Sequence, residues 1–296
     1  MPGLTLGAAA KDAAKNRFRS FNLTLPTVAP GSRPTLYTLT GQLVQPPPPL
    51  GKPVIGAQRA GSVAANPLPF PPALFKAGQN NKDNVDYQKG MSDLYNGLFD
   101  ALLDAIASGF NQYKATAGLV DVQINGPIAT GGRLQGPPID DFIRSAPSVA
   151  GWGNYTGKIR DAVAKGFQMQ WKMVASSVRV PGLPWYPGFV AVPSPQAPPM
   201  PNVPTPFSAL VQDNSAMDPS SLKVAMKSCL SGNVDFADEF FDSLSTGLQL
   251  GFGIWKGSQM VTNVLGNGPV PSFAPPYVPV GPVVKGSNIP GPHIAG

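Results

Sequence analysis

Side chains able to do covalent or acid–base chemistry are scarce in this sequence. It has one histidine, His293, and one cysteine, Cys229. A nucleophilic triad needs a base, and His293 stands three residues before the last one, where chain ends fray. Cys229 lies in a short helical pattern between Leu222 and Leu230 and reads as a buried or incidental thiol. No Cys/His spacing suits zinc. Acidic residues are fifteen Asp and a single Glu, Glu239. Asp100 and Asp104 stand at i, i+4, and Asp235, Asp238, Glu239 and Asp242 cluster. Such carboxylates can bind a divalent ion or share a proton, but caps and ion pairs are their commoner use. Gly251-Phe252-Gly253 has only a superficial likeness to a phosphate loop, because no strand precedes it. Pro195 to Pro198 and Pro201 to Pro204 are Pro-x-x-Pro words without the basic neighbour that SH3-type recognition wants. The expectation is a non-enzymatic chain with no catalytic residue, metal ligand or cofactor.

Composition narrows the classes further. The 296 residues include 36 Pro and 33 Gly, and only 13% are charged. Pro is thus more than twice as frequent as the usual share of about 5%, and charge is about half as frequent. With 42% apolar residues, the chain is too greasy for a solvated disordered protein. Glycine has no three-residue period, so it is not collagen. A lone cysteine excludes a disulfide scaffold. The net charge of +6 and the basic residues Lys11, Lys15, Arg17, Arg19 and Arg33 allow phosphate contact at the N-terminal segment. A solvated helix face is the preferred reading there. No signal peptide is read at the start, and no 18-residue apolar run suggests a membrane span. Gly247 to Gly266 comes nearest, interrupted by Gln249, Lys256, Gln259 and Asn263. Membrane contact through its small and aromatic residues is a lesser alternative.

The elements that must carry this surface repeat. Phe99 to Pro127 aligns with Phe241 to Pro269 at an offset of 142 without a gap. Identities include Asp100/Asp242, Gly109/Gly251, Phe110/Phe252, Lys114/Lys256 and Asn125-Gly126-Pro127/Asn267-Gly268-Pro269, with Tyr113 matching Trp255. A looser middle copy holds Gly166, Phe167, Trp171 and Lys172. Apolar steps of three and four predict an amphipathic helix in each copy. In the first these steps run from Phe99 to Val120, and the Asn-Gly-Pro words read as helix stops. The glycine inside each helix implies close approach of another backbone. Shorter helices are expected at Gly7 to Phe18 and Pro219 to Leu230, and a strand at Pro34 to Val44.

Proline-rich arms follow the helices. Pro181 to Pro206 holds ten Pro and Pro269 to Pro292 holds eight. A weaker version follows the first copy at Gly131 to Pro138, and another tract runs from Gln45 to Pro72. The arms carry Trp185, Tyr186, Phe189 and Phe207, then Phe273 and Tyr277. Such apolar surface must be covered, so these six side chains are expected to dock the arms, on the chain's own helices or on neighbouring subunits.

The expected fold is mainly α: three repeated amphipathic helices joined by long irregular proline-rich arms, with little β. The segments are 1–85, a basic segment and Pro-rich arm; 86–145, the first helix and its arm; 146–210, the second; and 211–296, the third. This helix-plus-arm organisation, with its Gly-Phe-x-x-Tyr/Trp-Lys…Asn-Gly-Pro word, resembles accessory components of tailed-phage virions and related contractile injection particles. The resemblance covers about residues 90–296. The functional reading is a structural component of a multi-subunit particle that docks by its helices and threads its apolar Pro-rich arms over neighbouring subunits. The resemblance implies a place in tail, baseplate, neck or capsid cement, with synthesis in the cytoplasm. The partners would be other subunits, including copies of this chain. A secreted or membrane-associated helical effector is the competing class.

Overall fold

The computed structural model describes residues 7–21, 77–234, 236–271, 273–274 and 278–295. The tract at Gln45 to Pro72, the strand expected over Pro34 to Val44, and Tyr277 lie outside the described residues. Two compact units divide the chain, Asn22–Leu98 and Met1–Phe21 with Phe99–Gly296. Of the first, only helical residues 77–98 are described. The larger unit carries the repeats.

Its helices follow the apolar periodicity. They are α1 (Ala8–Ser20), α2 (Ala77–Thr116, entering this unit at Phe99), α3 (Asp140–Arg144), α4 (Asn154–Ser177), α5 (Pro219–Ser228) and α6 (Ala237–Ser258). Pro219 opens α5 at a position where its missing N–H costs nothing. Asp238 and Glu239 occupy the first turn of α6, facing the positive end of its dipole. α4 packs on α3 and α5, α5 on α6, and α6 on α1. Gly247 permits the last contact: a Cβ there would stand 2.6 Å from the Ala10 carbonyl oxygen. Lys15 pairs with Asp100 and Arg17 with Asp242, each N···O distance 2.7 Å. The repeated aspartates are therefore ion-pair partners, and the basic face of α1 is turned to them. Lys11 does the same with Asp104.

A mainly α fold is overturned by the connections. Strands β1 (Gly118–Asn125), β2 (Ile128–Gln135), β3 (Val180–Leu183), β4 (Gln196–Met200), β7 (Gly266–Pro269) and β10 (Gly286–Asn288) form an antiparallel sheet in the order β3-β2-β1-β10-β7-β4. Strands β5 (Thr205–Pro206), β6 (Met260–Val261) and β11 (Ile294–Ala295) form a second, ordered β11-β6-β5. β8 (Phe273–Ala274) and β9 (Val278–Pro279) make a small hairpin. This is an α/β fold.

The physical reason lies at the helix ends. α2 stops at Thr116, short of Val120, and β1 opens on Gly118, where only a glycine fits: a Cβ there would fall 1.8 Å from the Gly291 carbonyl oxygen. From Asp121 onward, exposed Asp121, Gln123 and Asn125 alternate with buried Val122 and Ile124. That is the alternation of a strand. Asn125-Gly126-Pro127 is consequently no helix stop. It turns β1 into β2, with Asn125 opposite Ile128. β4 tolerates Pro198 and Pro199 because it is an edge strand.

Candidate functional site

The repeated word converges on one place. The rings of Phe110, Tyr113, Phe167, Trp171, Phe252 and Trp255 meet in a single aromatic cluster. Phe110 lies edge-on to Trp171 at 4.5 Å and to Trp255 at 4.6 Å. Tyr113 meets Trp171 at 5.5 Å, and Trp171 meets Phe252 at 6.1 Å. Phe167 reaches Phe110 at 6.4 Å. Edge-to-face pairs of this kind add to the burial of the rings themselves. Burial pushes the Tyr113 hydroxyl up to about 12, so it stays protonated at ordinary pH. A cavity of only about 10 Å³ remains among Ile106, Phe110, Phe167, Met217, Leu248, Phe252 and Trp255, room for one water at most. The cluster is a packed core.

The glycines and lysines of the word divide by role. A Cβ on Gly166 would lie 2.6 Å from the backbone of Met226 on α5, and one on Gly109 would lie 2.9 Å from Ile143 on α3. Both glycines seat one helix on the backbone of another. Gly251 is buried on α6. Lys114 donates to Gln259 Oε1 at 2.9 Å, and burial lowers its pKa. Lys172 is exposed and Lys256 half-buried. The six rings of the word are buried within this chain.

The arms also correct an expectation. Trp185, Tyr186, Phe189 and Phe207 are all buried within this chain. Tyr186 stacks on Phe189 at 5.2 Å and donates its hydroxyl to the Val264 carbonyl at 2.7 Å. Phe207 packs on Trp255 at 5.4 Å. Phe273 opens β8; Tyr277 is outside the described residues. The described arms are therefore clasped by their own polypeptide. Proline lowers the entropy lost in ordering them, and the sheets supply the partners for their remaining backbone groups.

Those partners come from two matching straps that sequence reading missed. Asn202-Val203-Pro204-Thr205-Pro206-Phe207 and Asn288-Ile289-Pro290-Gly291-Pro292-His293 share the word Asn-Val/Ile-Pro-x-Pro. Asn202 Nδ2 donates to the Val261 carbonyl at 3.1 Å, and the Val264 N–H donates to Asn202 Oδ1 at 2.9 Å. Asn288 Nδ2 donates to the Leu119 carbonyl at 2.6 Å, and the Val122 N–H donates to Asn288 Oδ1 at 3.0 Å. Leu119/Val261 and Val122/Val264 are equivalent positions of the outer repeats. Between them Asp121 and Asn263 both take φ 59°, a left-handed conformation rare for residues with a side chain. That bend leaves a carbonyl and an N–H for the asparagine to bridge. The straps end alike: the Phe207 N–H donates to the Gln259 carbonyl and the His293 N–H to the Ala117 carbonyl. Their strands also share a register, Met200 opposite Gly266 and Gly286 opposite Ile124.

No family model, curated protein or solved structure matches this chain.

The groups able to do chemistry are engaged elsewhere. The His293 ring accepts the Leu119 N–H at Nδ1, 2.8 Å away, and burial lowers its pKa. Cys229 Sγ lies 3.7 Å from Met169 Sδ. Among the described residues no three of His, Cys, Asp and Glu gather where they could hold a metal ion. Nor is any described helix long and apolar enough to cross a membrane.

Proposed function

We propose that the chain is a non-enzymatic structural subunit of a multi-subunit particle, of the tailed-phage or contractile-injection kind. It docks to other subunits by the outer faces of its helices, while its arms brace its own fold. The observation that carries this reading is the outer stripe of α6. Leu250 and Ile254 are 43% and 54% exposed, one turn apart, and Gly253 and Gly257 beside them have nothing within 4 Å of a notional Cβ. Met169 and Met173 repeat the pattern on α4 at 51% and 60%. Large apolar side chains on helices already packed on their other faces suit contact with protein. The scarcity of Glu fits helices of which part of the outer surface is covered.

The test is a tagged full-length chain expressed in its own source cells and followed through a sedimentation gradient. The chain is expected in a particle fraction, and Leu250→Lys with Ile254→Lys is expected to move it to the slow fraction while leaving the melting temperature of the purified chain unchanged. Slow sedimentation of the unaltered chain under all conditions would refute the reading.

A further inference from the structure

The three repeats hand their arms on in a cycle. The arm after the first helix, β2, pairs with β3 of the second repeat, with Ala129 opposite Leu183 and Gly131 opposite Val180. The arm after the second helix supplies β4 and β5, which pair with β7 and β6 of the third repeat. The arm after the third helix supplies β10, which pairs with β1 of the first repeat, Gln123 opposite Ser287 and Ile124 opposite Gly286. Repeat strands and arm strands therefore alternate across the larger sheet. Each repeat donates to the next, and the last donation closes the ring.

Head-to-tail donation closes as a ring or continues from copy to copy, and the same contacts serve either outcome. We propose that the second strap, residues 286–295, is exchangeable: it seats between β1 and β7 of a second copy of this chain as it seats in its own. Three observations carry this. The slot recognises a word, Asn-Val/Ile-Pro-x-Pro, through backbone groups that both outer repeats present in the same register. The strap's pairing is short, two residue pairs each on β1, β7 and β6. The residue before it, Lys285, is held at φ 54°, a left-handed conformation that a straightened hinge would relieve; strained hinges favour swapping. The exchange keeps both clasping bonds of Asn288 and the backbone bonds of His293, because the receiving repeat is identical. What changes is the hinge: the Lys285 conformation, its N–H bond to Asn125 Oδ1 at 3.0 Å, and the entropy of association.

This names a partner, a second copy, for the assembly reading and does not depend on which particle is formed. The test uses full-length chains carrying Cys229→Ser with either Gln123→Cys or Ser287→Cys, an exposed pair directly opposed across β1 and β10. Co-refolded and oxidised, the two single-cysteine chains are expected to form a covalent dimer with one of each, whose yield rises with protein concentration. The chain carrying both cysteines should close internally on dilution. Internal closure without any mixed dimer overturns exchange. If the double-cysteine chain fails to close, unaltered chains co-refolded at rising concentration decide the matter by size exclusion: dimers and longer species that persist on dilution support exchange, and monomer throughout overturns it. Loss of exchange with continued sedimentation in a particle would leave the assembly reading intact.

Discussion

At the scale of single residues, the two straps form an internal comparison. Where the first ends on Phe207, the second ends on His293, and both are buried. The histidine differs in that its Nδ1 lone pair accepts the Leu119 N–H. Neutral imidazole has one such acceptor, and imidazolium has none. Burial lowers the pKa of His293 below its ordinary value, with a backbone hydrogen bond to Ile289 acting against it. The unfolded chain therefore binds a proton at higher pH than the folded one. Stability from this residue is complete above the unfolded value of about 6.5 and falls as pH drops through that value toward the folded one. Thermal melts between pH ~5 and ~8 should show a decline on the acid side that His293→Phe flattens, as Phe207 does in its own strap. An equal acid decline in both proteins would mean that the clasp tolerates a charged ring. Asn202 and Asn288 do a different task at this scale. Each bridges a carbonyl and an N–H on either side of a left-handed residue, Asn263 or Asp121.

At the scale of elements, what the sequence disclosed and what it hid have separate physical causes. Helices were legible because their pattern is local: Phe99, Leu102, Ile106 and Phe110 lie on one face, and the repeated aromatic positions mark where three such faces meet. Strands were hidden for two reasons. The local β1–β2 hairpin turns at Asn125-Gly126-Pro127, a word that also reads as a helix stop. β10, β4 and β7 pair over long separations or are written in Pro and Gly, residues that usually count against a strand. The asparagine clasps were visible only as a recurring Asn-Val/Ile-Pro-x-Pro word inside arms taken as irregular. Glycines give the sharpest prediction here, because equal substitutions should have opposite signs. Gly166 seats α4 on the backbone of α5, with no room for a Cβ at 2.6 Å. Gly166→Ala must push the helices apart, at a cost of about 1–3 kcal/mol. Gly253 has open space on α6, so Gly253→Ala should stabilise by about 0.5–1 kcal/mol through helix propensity alone. Urea unfolding of the two variants reads both signs. A neutral Gly166→Ala would show that the crossing of α4 and α5 can widen freely.

The whole molecule folds around a closure that comes late in the chain. Its sheets join strands far apart in sequence, so their formation must wait for long loops to close, and β10 occupies the middle of the larger sheet. The straps that complete both sheets are also the proline-rich tracts, ten Pro between Pro181 and Pro206 and eight between Pro269 and Pro292. In an unfolded chain each X–Pro bond is cis about 10–30% of the time and interconverts over tens to hundreds of seconds. Ten such bonds leave roughly one unfolded molecule in ten with a uniform set of isomers in the first tract alone. Strap docking is specific in register, with Met200 opposite Gly266 and Gly286 opposite Ile124, so a wrong isomer within a strap misplaces its asparagine. Helix formation needs none of this, because α2, α4 and α6 contain no proline. Refolding from equilibrated urea should accordingly split in time. Far-ultraviolet helix signal should return quickly, while burial of Trp185 and the protection of Leu119 and Val261 follow over minutes and accelerate with a prolyl isomerase. A brief unfolding pulse, too short for isomerisation, should remove most of the slow phase. Recovery of both signals together, unaffected by the isomerase, would show that the sheets close without waiting for their prolines.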